Sequence, residues 1–460
     1  MSKLTVALLF ATAAAPLALG QNKPVTNCTS RASLICAIPN LYGPNGLILS
    51  DVVLSGGVPH LPHFNGDFQS SFSPLGSAIG TELTLLPLAS PASGFTYSFE
   101  QSTGVVTKVQ QSFGPILAER AETIGKGKFF LGFTYQYFDF DSLDGIDLKN
   151  IPAVFTHDDA HATGFFSDFI TTQNSVHLFV NQETAFATYG LTRRIDVSLA
   201  LPILSVRLTG NSSAAIHWTN AGADPSSEVH QFPNGSQANG YAISQTASGI
   251  GDATVRIKAA VAHGEKASLG FAADVRFPTG DAENFLGSGT YGIKPFVIAS
   301  LREGKWAPHV NIGYQINGSS ILAGNFAGYN AGSTTSPLAP TKGHLPNDLF
   351  YTLGTDVGVA RRLTLSFDFL GQSVYGAPIL VQGAPFTPLQ PEITPQAVAA
   401  TPPYATTSVR TGNFSVLMGS AGLKAQLGRN LLLTLNGLFQ LNDDGLRSKF
   451  VPMAGLSYTF

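Results

Sequence analysis

Strictly alternating segments about as long as a membrane-crossing strand recur from Gly127 to Phe460, and they leave few folds open. "KWAPHVNIGYQIN" puts Trp306, Pro308, Val310, Ile312, Tyr314 and Ile316 on one parity and His309, Asn311, Gly313, Gln315 and Asn317 on the other. "KFFLGFTYQYFDF", "RLTLSFDFLG" and "NLLLTLNGLFQL" split the same way. Successive side chains of a strand point to opposite faces, so each segment has one large apolar face and one small or polar face. Each also reaches the ~9–11 residues that a tilted membrane strand needs, where soluble strands average ~5–6.

The connections discriminate further. Leu191–Arg194, His263–Lys266, Arg302–Lys305, Ala360–Arg362 and Gly428–Asn430 are very short. Between them fall long polar stretches: Phe140–Asn174, Thr209–Gly251, Pro278–Thr290, Gly318–Pro346 and Gly376–Asn413. Short and long in alternation is the asymmetry of an up-and-down outer-membrane barrel, with periplasmic turns and extracellular loops. The expected fold is therefore an all-β, antiparallel transmembrane barrel. Its strands are expected at 127–139, 174–190, 194–208, 252–262, 266–277, 290–302, 305–317, 347–359, 362–374, 414–427, 430–442 and 448–460. That is twelve, or fourteen if a short hairpin at Gly94–Gln110 joins. The last strand ends on Tyr458 and Phe460, which suit an aromatic girdle and resemble the C-terminal signal read by the barrel-assembly machinery.

Charged residues are only 12% of the chain, against ~25% in soluble domains, while apolar residues are an ordinary 44%. Strands with one face in lipid and the other on a Ser/Thr/Asn/Gly-rich lumen have this balance. A formal net charge of −3 and the lack of a basic run give no case for nucleic-acid binding. Lys3 followed by an apolar, Ala-rich run and Ala18-Leu19-Gly20 reads as a signal peptide over residues 1–20. Residues 21–126 are expected to form an N-terminal periplasmic or plug-like segment, and 127–460 the barrel. Cys28 and Cys36, close together in an exported chain, are expected to form a disulfide.

"GIGDATVRIKAAV" (Gly249–Val261) and "FAADVRFPTGDAENFLGSGTYGIKPFVIAS" (Phe271–Ser300) resemble the outer-membrane barrels named for the MetA pathway of phenol degradation, themselves loosely like long-chain fatty-acid channels. The likeness lies in G-x-G-D opening a strand, a strand ending P-T-G-D, and a G-x-G before the next. It implies passage of hydrophobic or aromatic compounds across the outer membrane of a Gram-negative cell.

Strand parity places Arg256, Lys258, Asp274, Arg276, Lys294 and Arg302 in the lumen, with Asp252 interleaved near the extracellular rim. A lipid-facing charge at mid-bilayer would cost ~2–4 kcal/mol, which fixes the parity. This wall reads in two ways: as a ladder guiding anionic solutes, or as an internal ion-pair network that stiffens a narrow lumen. His157, Asp158, Asp159 and His161 are weak candidates for a metal site in an extracellular loop. Inward His177 and His309 would serve a barrel enzyme, but no G-x-S-x-G occurs. The expected function is passive uptake or efflux of small hydrophobic solutes without a cofactor. Membrane lipid, the assembly machinery and the solute are the expected partners. A structural or adhesin-like barrel is the alternative.

Overall fold

The computed structural model describes residues 33–42, 47, 65–90, 96–100, 105–109, 113–156, 169–217, 231–324, 342–387, 403–428 and 430–460. Residues 1–20, Cys28 and the His157–His161 cluster lie outside them.

Twelve strands close into one antiparallel barrel: β1 Phe129–Phe140, β2 Phe169–Gly190, β3 Ile195–His217, β4 Ala253–His263, β5 Ala267–Phe277, β6 Gly292–Leu301, β7 Trp306–Asn317, β8 Asn347–Ala360, β9 Leu363–Gln382, β10 Thr407–Gln426, β11 Leu431–Gln440 and β12 Phe450–Thr459. Every strand pairs with its sequence neighbours, and β12 returns to β1 through Tyr458↔Leu131 and Met453↔Gln136. All twelve expected strands are present. The hairpin Thr96–Glu100/Val105–Val109 forms its own two-stranded sheet, so the barrel does not expand to fourteen.

The alternation survives as a division between lipid and lumen. On β4, Ile257 is 55% exposed while Lys258 is 1% exposed. Exposed Leu269, Phe271, Ile293, Val297, Val310 and Ile312 continue the apolar belt. Among the described residues no helix is long and apolar enough to cross a membrane. At the seam, Phe460 donates its backbone N–H to the Phe129 carbonyl and packs against Tyr458 and Phe129, with ring centroids 4.7 and 6.0 Å away.

Three expected loops are partly strand. Ala238–Ile250 pairs with β3 from Ile203↔Ile250 to Ala215↔Ala238, and Ile151–Thr156 pairs with the outer end of β2. Strands β9 and β10 continue past a register shift between Val374 and Ala377 as far as Gln382 and Thr407. These hairpins run on beyond the ~9–11 residues a membrane requires. A span-length template therefore stops too early on them.

The lumen is filled by chain that precedes β1. A 3₁₀ turn at Leu34–Cys36 and helix α1, Asn65–Leu83, pack inside the barrel toward the end that carries the long connections. Leu34, Ile35, Ile38, Leu75, Ala78 and Ile79 pack there in one cluster with inward Phe138, Leu178, Val206 and Leu208. On α1, Gly76 and Gly80 leave room for close neighbours: a Cβ on Gly80 would meet Phe285 at 2.9 Å. Residues 113–125 then occupy the half with the short turns before the chain enters β1. Cys36 is disulfide-bonded.

Candidate functional site: the plugged lumen

The charged wall faces this internal segment. Glu119 is 3% exposed and accepts from Arg256 Nη1 at 2.6 Å and Lys258 Nζ at 3.1 Å. Arg256 grips Asp274 with two further bonds at 2.6 and 2.8 Å, and Lys294 Nζ lies 3.4 Å from the same carboxylate. Arg302 donates twice to Glu122 Oε1, at 3.1 and 2.6 Å. Arg276 lies 3.7 Å from Asp252 and donates to Asn317 Oδ1 at 2.7 Å. The six sequence-identified charges thus sit together on one wall, and three of them reach carboxylates of the plug or its immediate neighbours. Burying a charge is tolerable only when it is paired and hydrogen-bonded, and this interlocking arrangement supplies both.

Polar side chains of the wall hold the plug's backbone as well. Glu119 N–H donates to Asn311 Oδ1 at 2.7 Å, and Asn311 Nδ2 donates back to the Glu119 carbonyl at 3.0 Å. Ala121 N–H donates to Ser300 Oγ at 3.0 Å, Ile124 N–H to Asp196 Oδ2 at 2.9 Å and Phe113 N–H to Thr364 Oγ1 at 3.1 Å. Lys424 Nζ donates to the Pro115 carbonyl at 2.6 Å. An irregular segment away from water must satisfy its backbone groups somewhere, and here the lumen face of the barrel does it. Inward His309 meets Asp368 at 2.7 Å and Asp356 at 3.8 Å, and Arg120 of the plug reaches the same Asp356 at 3.4 Å. At this end a small cavity of about 20 Å³ lies among Arg120, Glu122, Arg302 and His309.

The glycine and aspartate motif serves the opposite end. G-x-G-D opens β4 at Ala253, as expected, but the chain that leads into it is strand as well. Ala238–Ile250 and β4 run along the same partner, β3, with Ile203↔Ile250 followed by Ala200↔Thr254. The register slips by one residue, so Gly251 and Asp252 form a bulge within a continuous edge. A Cβ on Gly251 would meet Pro202 at 2.9 Å. Asp252 points across to the β5–β6 connection and accepts from Gly280 N–H at 3.0 Å, Ser288 N–H at 2.7 Å and Ser288 Oγ at 2.5 Å. Thr279 of P-T-G-D donates to the Gly251 carbonyl at 2.7 Å, and Asp281 caps a 3₁₀ turn, Ala282–Asn284. Gly280 and Gly287 touch backbone to backbone. This clamp folds the connection into the barrel mouth, where Phe285, at φ +56°, packs on α1.

Two spaces remain. A cavity of about 80 Å³ lies between the end of α1 and the wall, bounded by Leu83, Leu86, Leu204, Leu286, Gln182 and Arg276. A wider cleft of about 790 Å³ opens among the extracellular strand extensions, beside Tyr404 and the inner strand residues Thr172 and Ala214. Phe169, His217, Phe386 and Tyr404 cluster there, with Phe169 stacked on His217 at 4.6 Å. Sequence reasoning missed Glu119, Glu122 and the whole plug interface.

The pattern of the family described as "Putative MetA-pathway of phenol degradation" matches residues 156–339. No curated protein matches the chain. Among solved structures, an outer membrane channel from Pseudomonas putida F1 superposes with a TM-score of 0.41 at 12% identity, over 75% of this chain and 99% of that one. The P. putida toluene transporter TodX superposes at 0.29 and 9% identity, over 73% and 89%. A Pseudomonas aeruginosa FadL homologue gives 0.29 and 9%, over 74% and 90%. The barrel built around the Asp252 clamp thus carries, across residues 156–339, the pattern of the outer-membrane family named for the MetA pathway of phenol degradation.

Proposed function

We propose that this chain is a plugged outer-membrane channel through which small hydrophobic or aromatic solutes diffuse passively, inward or outward along their gradient. One observation carries the reading. Residues 113–125 join no barrel ladder, and side-chain contacts with the lumen face hold them in place. The twelve-stranded wall is complete without them, so they can shift while the barrel stays folded. The basic wall is engaged by Glu119 and Glu122, which supports the stiffening reading of those charges over a ladder for anions. The family description supports an aromatic solute.

A tether tests this. Ala121→Cys with Ser300→Cys places two thiols where a 3.0 Å hydrogen bond now links plug and wall. In proteoliposomes the oxidised variant should block flux of a small neutral aromatic, and reductant should restore it. Wild-type protein with and without reductant controls for the native cysteines. Flux at the wild-type rate through the oxidised tether would reject plug movement. An absence of flux in wild type would leave a structural barrel.

A further inference from the structure

We infer that the short-turn rim of the barrel carries a ring of cations that binds the headgroups of anionic phospholipids. Each odd-numbered strand is preceded by one residue of this ring: Lys128, Arg194, Lys266, Lys305, Arg362 and Asn430. The backbone carbonyl of each accepts an N–H from near the end of the next strand. The donors, in the same order, are Gly190 at 3.0 Å, Ala260 at 2.8 Å, Arg302 at 2.7 Å, Gly358 at 2.9 Å, Gln426 at 2.9 Å and Thr459 at 3.2 Å. One bond repeated around the barrel sets these residues at one level, so they form a ring and not a scatter of surface charges. All but Asn430 are Lys or Arg. Neighbouring strands lie ~4.8 Å apart, so ring positions two strands apart are separated by roughly 10 Å along the rim. That spacing is comparable to the spacing of headgroups in a leaflet.

The surroundings of the ring select its partner. Exposed Leu191, Val261, Leu301, Val359, Leu427 and Phe460 flank it at the same strand ends. They are the last of the apolar belt, so the cations stand at headgroup depth, where long basic side chains reach phosphate. Arg194, Lys266, Lys305 and Arg362 are exposed, and Lys128 is half-buried. Lys126, Arg193 and Arg361 add further exposed positive charge beside them. Against these the short turns carry only Glu265 and Glu303. Lys266 meets Glu303 at 3.4 Å, but both side chains are largely exposed, so the pair is weak and the ammonium stays open to another anion. The opposite rim mixes signs: exposed Asp147, Asp281, Asp443 and Asp444 stand with Lys149, Lys342, Arg410 and Lys449. The positive rim is thus a local arrangement in a chain of net charge −3. A zwitterionic headgroup brings its own ammonium beside the phosphate, whereas a net-negative one leaves the phosphate for the ring. A ring that follows the whole circumference fits the lipid shell; an acidic protein would need a patch on one side. The inference needs only the lipid-facing belt and holds whatever solute the barrel passes.

The test reconstitutes full-length protein in phosphatidylcholine vesicles holding a trace of spin-labelled phosphatidylglycerol or spin-labelled phosphatidylcholine. The motionally restricted fraction of each label reports its association with the barrel surface. In wild type at low salt, phosphatidylglycerol should associate at least twofold more strongly than phosphatidylcholine. Raising the ionic strength from ~0.1 M to ~1 M shortens the Debye length from about 10 Å to about 3 Å, and should bring the two labels together. The combined variant Lys128→Gln, Arg194→Gln, Lys266→Gln, Lys305→Gln and Arg362→Gln should do the same at low salt. The combined variant Lys149→Gln, Lys342→Gln, Arg410→Gln and Lys449→Gln strips cations from the opposite rim and should leave the preference intact. Both variants are first checked for heat-modifiable folded barrel. Equal association of the two labels in wild type, or a preference that survives high salt, overturns the proposal, and neither result depends on a variant folding. A preference retained by the folded ring variant, or lost equally in the opposite-rim variant, overturns it as well.

Discussion

Replacing Glu119 with Gln keeps the shape of the plug and removes one negative charge, so its effect is electrostatic. Glu119 is shared by two wall cations. Arg256 retains Asp274 through two short bonds, so it loses one of two carboxylates. Lys258 loses more: it keeps the Arg120 carbonyl at 3.2 Å, and Asp196 at 3.9 Å becomes its nearest carboxylate. Removing one partner of a buried pair typically costs ~3–5 kcal/mol, because the other charge stays buried. A unit pair about 4 Å apart at an effective dielectric near 20 gives a Coulomb term of about 4 kcal/mol, in the same range. The loss falls on the docked plug, since the strand ladders do not involve Glu119. At ~1.4 kcal/mol per decade, the undocked population should rise by about two to three and a half orders of magnitude. Planar-bilayer recordings should show far more frequent openings than wild type, with normal heat-modifiable barrel. Exchanging Lys258→Gln as well should cost less than the two single changes summed. Openings as rare as in wild type, together with an unchanged melting curve, would refute the plug-anchoring role of Glu119.

The remaining predictions address other parts of the molecule. Gly287→Ala puts a Cβ 2.4 Å from Asp252 Oδ1 and 2.7 Å from the Gly280 Cα. It should cost ~1–3 kcal/mol of local stability and expose the β5–β6 connection to protease on intact cells; resistance equal to wild type would count against the clamp. Phe460→Asp should sharply lower the yield of folded barrel, whereas Thr459→Ser should be tolerated, as read by heat-modifiability on gels. Glu82 of α1 is pushed up to about 8, by burial first and by Asp144 and Asp444, against weaker relief from the Leu446 N–H and Arg447. Its native pKa lies above the unfolded value of 4.5, so the folded state holds the extra proton between those limits. Stability should therefore fall as pH rises from about 4.5 to about 8, and Glu82→Gln should flatten that slope in melting curves. An identical slope in both proteins would exclude Glu82 as its source.

What the sequence made legible was what neighbouring residues decide among themselves. The period of two in "KWAPHVNIGYQIN" needs no distant partner, and neither does the run of short turns. Parity alone put Arg256, Lys258, Asp274, Arg276, Lys294 and Arg302 on one wall. The bulge at Gly251–Asp252 was not legible, because a register slip exists only relative to β3. The same two residues read locally as the start of a strand, and the edge before them as a loop. The plug was hidden for a stronger reason. "GPILAERAETIG" has no strand or helix period, and its partners lie far along the chain: Glu119 meets Arg256 and Lys258, and Glu122 meets Arg302. One signal did point to it. The wall carries five cations, Arg256, Lys258, Arg276, Lys294 and Arg302, against two carboxylates on the same run of strands, Asp252 and Asp274. A narrow lumen cannot leave three buried cations unanswered. The missing anions had to come from elsewhere in the chain, and Glu119 and Glu122, in the irregular stretch just before β1, stood nearest to the barrel's first strand.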